Sequence, residues 1–255
     1  MTRFFSLGKT MNFRHMGDYE AADQRVTRGD RLFRSGFLEI VDAAGRQVIS
    51  DKGIQTIYDF RSPVEREKNI LSVDKHVEVV ELGMLVASVE NLWDMLLEEG
   101  LNPEGAAKIM AERYRELTVE EVPGYRAMFQ HMLNKEEGGA LVMCSFGKDR
   151  AGIASALLLG SLGVSEQEIQ QDYLLSSNAY ADKEAAIGKF ESFFNNQGIP
   201  VDRKIVLPIL DARTQYLDVA WDVMRNASGS LDNFMTQELG LNNEARRYLQ
   251  QRFTA

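Results

Sequence analysis

The stretch from Ala140 to Leu162 leaves little freedom in how it folds. Four apolar residues, Ala140-Leu141-Val142-Met143, are followed by Cys144-Ser145-Phe146-Gly147-Lys148-Asp149-Arg150. The helix-like run Ala151-Gly152-Ile153-Ala154-Ser155-Ala156-Leu157-Leu158-Leu159 comes next. That order reads as strand, tight loop and helix. Strand-like and helix-like pieces also alternate through the first half of the chain. A mostly parallel central sheet with helices packed on its faces is therefore expected. The second half is almost entirely helical in pattern. The fold class read from this is α/β, as one domain spanning residues 1–255.

Cys144 is the only cysteine in the chain, and five residues separate its thiol from the guanidinium of Arg150. A loop that feeds a helix N-terminus points consecutive backbone N–H groups into one concavity, which suits an oxyanion. The same field favours a thiolate over a thiol and so activates the nucleophile. Arg150 adds a planar fork able to hold two phosphoryl oxygens. Gly147 gives the loop backbone freedom, and Lys148 is expected to act as a second cation. A lone cysteine at a strand end is ordinarily a small buried hydrophobe. Here it shares one loop with glycine, lysine and arginine, so the chemistry indicated is phosphoryl transfer to cysteine.

The remaining composition narrows the setting. The apolar run from Ala151 to Leu162 is interrupted by Gly152, Ser155, Gly160 and Ser161, and no stretch reaches the length of a membrane span. The first residues, Met1 to Lys9, lack the apolar core and cleavage site of a signal peptide. A reducing cytoplasm is the simplest home, and it would keep a reactive thiol intact. One cysteine rules out an intramolecular disulfide framework and a cysteine-rich zinc site. The net charge of −9 argues against a general nucleic-acid binder. It leaves open a phosphorylated partner, which local cations would recognise.

Along the chain, strands are expected at Arg31–Ser35, Ile54–Phe60 and His76–Leu82, besides the one before Cys144. Helices are expected near Ile40–Val48, from Pro63 through Glu67, and near Val89–Glu98, Pro103–Leu117 and Pro123–Asn134. Beyond the loop they are expected at Ser165–Leu175, Asn178–Asn195, Ile205–Ala227, Leu231–Leu239 and Asn243–Phe253. Ser165-Glu166-Gln167-Glu168 has the form of a capping box. In parallel sheets ligands bind at the carboxyl ends of strands. Asp59-Phe60-Arg61 and the Cys144–Arg150 loop both leave strands at that end, which gathers them at one site.

The loop C-x-x-G-K-D-R-x-G resembles the phosphate-binding loop of the bacterial cysteine-dependent protein tyrosine phosphatases, the family that includes the mycobacterial protein tyrosine phosphatase B. The likeness runs over nearly the whole chain. Asn12-Phe13-Arg14 is similar to an early N-F-R motif, and Arg31-Leu32-Phe33-Arg34-Ser35 to an R-L-F-R-S strand. Asp59-Phe60-Arg61-Ser62 with Glu65 resembles a D-L-R-S-x-x-E segment. Asp172-Tyr173-Leu174 with Ser177-Asn178 resembles a D-Y-L-x-S-N stretch, and Ser230-Leu231 with Leu239-Gly240-Leu241 its helical ending.

The resemblance implies that Cys144 attacks phosphorus, that Arg150 clamps the phosphoryl group, and that the N–H groups of Ser145, Phe146, Gly147, Lys148, Asp149 and Arg150 cradle it. It implies no metal and no cofactor, with Arg150, Lys148 and the amides stabilising charge. Substrates would be phosphorylated proteins or phosphoinositides, the latter suggested by Lys148. The acid that protonates the leaving oxygen has two candidates, Asp59 first and Asp149 second. Each has a plainer alternative: an ion pair with Arg14, Arg34 or Arg61 for Asp59, and bonds to loop N–H groups for Asp149. Three departures bear on rate. Met143 stands where the family has His, Ala151 where it has Ser or Thr, and His15 with Gly17-Asp18 where it has Asp and Gly-Gly. They motivate an alternative reading as a degraded phosphatase that only binds phosphate esters. A rhodanese-like sulfur carrier would also use a loop cysteine, but the Gly-Lys-Asp-Arg loop fits it poorly.

Overall fold

The computed structural model describes residues 3–40, 42–84, 102–179, 183–196, 198, 201 and 203–255. Among them, five strands form one sheet: β1 (Arg14–His15), β2 (Leu32–Ser35), β3 (Ile54–Asp59), β4 (Glu78–Glu81) and β5 (Gly139–Met143). Their spatial order is β1-β2-β5-β3-β4. All neighbours run parallel except β1, which is antiparallel to β2. The apolar run before Cys144 thus becomes the middle strand, buried along its whole length.

Register explains why several segments meet at one edge. Ser35 and Asp59 both pair with Met143, so β2, β5 and β3 finish level with one another. The segments that leave them begin at Gly36, Phe60 and Cys144, side by side. Side chains alternate across the sheet: Ala140, Val142 and Cys144 join the larger core, and Leu141 and Met143 the smaller one.

The smaller core lies under α1 (Ala43–Asp51), whose Ile49 packs with Phe13, Phe33, Ile54 and Ile57. Asp42 caps this helix by accepting the Gly45 N–H at 2.9 Å. A short α2 (Pro63–Lys68) follows β3. The larger core takes residues from α3 (Pro103–Val119), α4 (Val122–Leu133), α5 (Arg150–Ser161) and α6 (Glu166–Leu174). Beyond them come α7 (Lys183–Asn195), α8 (Arg203–Leu210), α9 (Thr214–Ser228), α10 (Leu231–Gln237) and α11 (Asn243–Phe253). No described helix is long and apolar enough to cross a membrane.

The sequence expectations place most elements within a few residues; β1 is an addition to the expected strands, and two expected helical segments differ. The segment near Val89–Glu98 lies outside the described residues. A 3₁₀ turn at Leu175–Asn178 leads into the stretch expected as a helix over Asn178–Asn195, of which α7 covers Lys183–Asn195. The single helix expected over Ile205–Ala227 is two helices, α8 and α9, broken at Asp211–Arg213. Pro208 lacks an N–H within α8. The carbonyls around the break are met from outside: Tyr216 donates to Pro208 O at 2.9 Å, and Lys148 Nζ donates to Ile209 O. Ser177 Oγ bonds both the N–H and the carbonyl of Ala212, at 2.9 and 3.1 Å. Helical periodicity cannot reveal a break whose partners come from distant segments.

Candidate active site

Cys144 is the first residue after β5, and its side chain is 2% exposed. The Gly147 N–H donates to its Sγ at 3.2 Å. Gly147 turns the loop with φ of +68°, and a Cβ there would lie 2.4 Å from Gly36 N and from the Ser35 carbonyl carbon. Only glycine allows both the left-handed turn and this approach to the end of β2.

The loop carbonyls are held on the outside. Ser145 O accepts the Phe37 N–H at 3.0 Å. Gly147 O accepts from Asn12 Nδ2 at 2.6 Å and from Arg34 Nη2 at 2.8 Å. In a trans peptide unit the C=O and the following N–H point oppositely, so the N–H groups of Phe146 and Lys148 face away from these supports. A loop whose N–H groups are turned this way at the start of a helix has the arrangement that suits an oxyanion.

Beneath the loop, Arg34 shares Asp172 with Arg14. Arg34 Nη1 lies 2.7 Å from Asp172 Oδ2, and Arg14 Nη2 lies 3.2 Å from the same oxygen. Tyr19 Oη donates to Oδ1 at 3.0 Å. All three charged side chains are at most 1% exposed. Burial alone would raise the Asp172 carboxyl; the charges and hydrogen bonds of Arg14 and Arg34 outweigh it and bring it to about 2. Arg14 is lowered to about 10, by burial first and by the like charge of Arg34 after it, against the pull of Asp172. Two guanidinium groups share one carboxylate, so the cluster leaves a positive excess under the loop. It also gives physical content to the N-F-R, R-L-F-R-S and D-Y-L motifs, which meet here.

Arg150 opens α5 and is gripped by Glu65. Nη1 and Nη2 lie 2.6 and 2.7 Å from the two carboxylate oxygens, and Nη1 also donates to Phe60 O at 3.1 Å. Glu65 further accepts the Ser62 N–H at 2.7 Å and the Ser145 hydroxyl. Burial would raise the Glu65 carboxyl, but Arg150, Ser145 and the Ser62 N–H together hold it at about 2. Burial works against the charge on Arg150, and Glu65, Cys144 and Asp149 more than restore it. Three of the five guanidinium N–H donors are used. The Nε–H and the second Nη2–H, parallel on the side edge of the fork, make no bond among the described residues.

Glu65 reaches this place because Ser62-Pro63-Val64-Glu65 is a capping box at the start of α2, with Ser62 Oγ accepting the Glu65 N–H at 3.2 Å. Sequence reading had Glu65 within a motif and gave it no role. The S-x-x-E signal just after a strand end was the available clue. Arg113 of α3 was also missed. It is buried in the field of Asp149, Arg150, Glu65 and Cys144, its pKa lowered by burial with the charge of Asp149 opposing.

The two acid candidates sit differently. Asp59 is engaged by Arg61: Oδ1 accepts the backbone N–H and Nε, each at 3.0 Å, and Oδ2 accepts Nη2 at 2.7 Å. This is the ion-pair alternative, realised with Arg61. Asp149 precedes Arg150 and makes no cap bond to α5. Its Oδ1 accepts the Tyr114 hydroxyl at 2.8 Å and lies 3.4 Å from Lys148 Nζ. Lys148 departs from expectation, since its ammonium turns to Ile209 O and Asp211 O. A buried ammonium needs acceptors, and the break between α8 and α9 supplies them.

His15 accepts the Gly17 N–H at Nδ1 at 3.1 Å and packs near Phe5, a local role away from the thiol. Met143 is wholly buried in the smaller core, on the opposite face from Cys144. His131 bonds Tyr58 and Glu78. No group of three or more His, Cys, Asp or Glu among the described residues could hold a metal ion. A cavity of about 460 Å³ opens beside the loop. Its wall includes Ser145, Phe146, Phe37, Met11, Arg61, Lys68 and Glu65.

Comparison with known proteins places the chain in a family. A protein of Cupriavidus necator named as a candidate tyrosine-protein phosphatase is 29% identical over 89% of this chain and 81% of its own length. The triple specificity protein phosphatase PtpB of Mycobacterium tuberculosis is 25% identical over 88% of this chain and 90% of its own. A tyrosine-protein phosphatase of Nostoc commune is 24% identical over 58% of this chain and 49% of its own. The sequence model of the tyrosine phosphatase family matches residues 5–255. The chain belongs to the tyrosine phosphatase family and is an enzyme of the phosphatase class.

Proposed function

We propose that this phosphatase hydrolyses phosphotyrosine and related aryl phosphates through a phosphocysteine on Cys144. The thiolate attacks phosphorus, the side edge of Arg150 holds two phosphoryl oxygens, and the loop N–H groups take the rest of the charge. Asp149 protonates the leaving phenol oxygen and then accepts a proton from the water that releases phosphate. Asp59 has the task of holding Arg61 on the cavity wall. The observation that carries this reading is the pairing of an N–H donated to Cys144 Sγ with an Arg150 fork whose outer edge is unused.

Phe37 and Phe146 on the cavity wall suit an aromatic ring, and Arg61 lies 4.8 Å over the Phe37 ring. Lys148, the reason for considering phosphoinositides, spends its ammonium on carbonyls of the α8–α9 break. The mycobacterial relative is named for triple specificity, so a substrate panel should hold phosphotyrosine and phosphoserine peptides and phosphoinositides.

The test is turnover of an aryl phosphate in the presence of a chelator, for the wild type and for Cys144→Ser. Wild-type turnover that the substitution abolishes, with vanadate still bound, is expected. Full activity of Cys144→Ser overturns the mechanism. Vanadate binding by an inert wild type leaves the binding-module reading.

A further inference from the structure

A chain of buried hydroxyls ends on Asp149. Tyr114 of α3 donates its hydroxyl to Asp149 Oδ1 at 2.8 Å, and the Tyr173 hydroxyl of α6 lies 2.6 Å from that of Tyr114. Tyr114 has one proton, given to Asp149, so Tyr173 must be the donor in the second bond. Both rings are buried and fixed by aromatic packing: Tyr173 meets Tyr114 edge-on at 6.0 Å, and Tyr216 lies 5.6 Å away on another side. Burial first, and the charge of Asp149 after it, keep both phenols protonated. They are therefore fixed donors, and donation along the chain strengthens the bond to the carboxyl.

Oδ1 thus faces two donors, Tyr114 Oη and Lys148 Nζ, while Oδ2 has no hydrogen bond among the described residues. A proton on Oδ1 would oppose both donors. From this geometry we infer that Tyr114, backed by Tyr173, is a positioning residue that directs the acidic proton of Asp149 to Oδ2 and aims it at the leaving oxygen. The inference rests on the reading of Asp149 as the acid. In the first step the S–P bond forms as the P–O ester bond breaks, and the Oδ2 proton passes to the departing phenoxide. In the second, water attacks phosphorus, its proton returns to Oδ2, and the Cys144 thiolate leaves. Tyr114 and Tyr173 exchange no proton; they stabilise the carboxylate that stands between the steps.

The experiment measures phosphocysteine formation by rapid quench with aryl phosphates of graded leaving-group basicity, for wild type, Tyr114→Phe, Tyr173→Phe and Asp149→Asn. Loss of an acid should cost little with nitrophenol and about 10²-fold or more with unsubstituted phenol. Tyr114→Phe should show the same trend at about tenfold with phenol, Tyr173→Phe a smaller one of about threefold, each with unchanged vanadate affinity. The double variant Tyr114→Phe/Asp149→Asn should be no slower than Asp149→Asn alone. If Asp149→Asn shows the leaving-group trend while Tyr114→Phe slows all substrates equally or none, the positioning role is overturned and the acid assignment stands. If Asp149→Asn shows no trend, the acid assignment itself falls. Should Tyr114→Phe fail to fold, as judged by thermal melting, Tyr173→Phe decides by the same criterion.

Discussion

Replacing Asp172 with asparagine removes one charge while keeping shape and one acceptor oxygen. Arg14 and Arg34, at most 1% exposed, would then face each other with no counter-charge. Removing one partner of a buried ion pair costs about 3–5 kcal/mol. The total stability of a domain is roughly 5–15 kcal/mol, so the variant should still fold but lose a large part of it. In urea the midpoint should fall by on the order of 1 M with little change in slope. The pH dependence is the sharper part. Asp172 has a native pKa of about 2 against an ordinary 3.8. A depressed carboxyl contributes stability that is complete above its unfolded pKa and lost as pH falls through the folded one. That difference is worth roughly 2–3 kcal/mol. The gap between wild type and Asp172→Asn should therefore be widest above about pH 4 and should shrink toward pH 2. A gap below about 1 kcal/mol at pH 7, or one that does not narrow on acidification, would refute the shared-carboxylate argument.

Three further outcomes are expected. Arg150→Lys should lower kcat/KM by about 10²-fold, or roughly 2.7 kcal/mol, because an ammonium cannot fill both the Glu65 edge and the phosphoryl edge; a loss under threefold in steady-state assays would exclude Arg150 as the clamp. Gly147→Ala should weaken vanadate binding by at least about tenfold in a titration, since left-handed strain of about 1–2 kcal/mol adds to a backbone clash; unchanged affinity would mean the loop tolerates a shifted end. Ala151→Ser restores a hydroxyl at the second position of α5 and should raise kcat about two- to tenfold, the worth of one hydrogen bond to a departing thiolate; no gain in the folded variant would mean phosphocysteine breakdown does not limit turnover.

The strand–loop–helix at Cys144 was legible because its apolar run, glycine and cationic residues are contiguous in sequence. The parallel sheet followed from alternating elements, and the meeting of Asp59 with the loop followed from the rule about strand ends. What sequence could not supply was partner choice among charged residues. Asp59 had three arginines open to it, and only the turn Asp59-Phe60-Arg61 selects the third. Lys148 read as a phosphate cation because its neighbours are Gly147 and Arg150, whereas the decisive partners, Ile209 O and Asp211 O, are backbone groups at a helix break. Tyr114 and Tyr173 look like core aromatics at helical spacing, and nothing local reveals that their hydroxyls line up on Asp149.

The central claim is that phosphate passes through sulfur. Rapid acid quench of the enzyme with an aryl phosphate, followed by mass analysis of the peptide containing Cys144, reads that claim directly. One phosphoryl group on Cys144, formed and lost at rates compatible with turnover and absent from Cys144→Ser, is the expected result. Turnover with no phosphorylated Cys144 peptide at any quench time, or label on another residue, would contradict it.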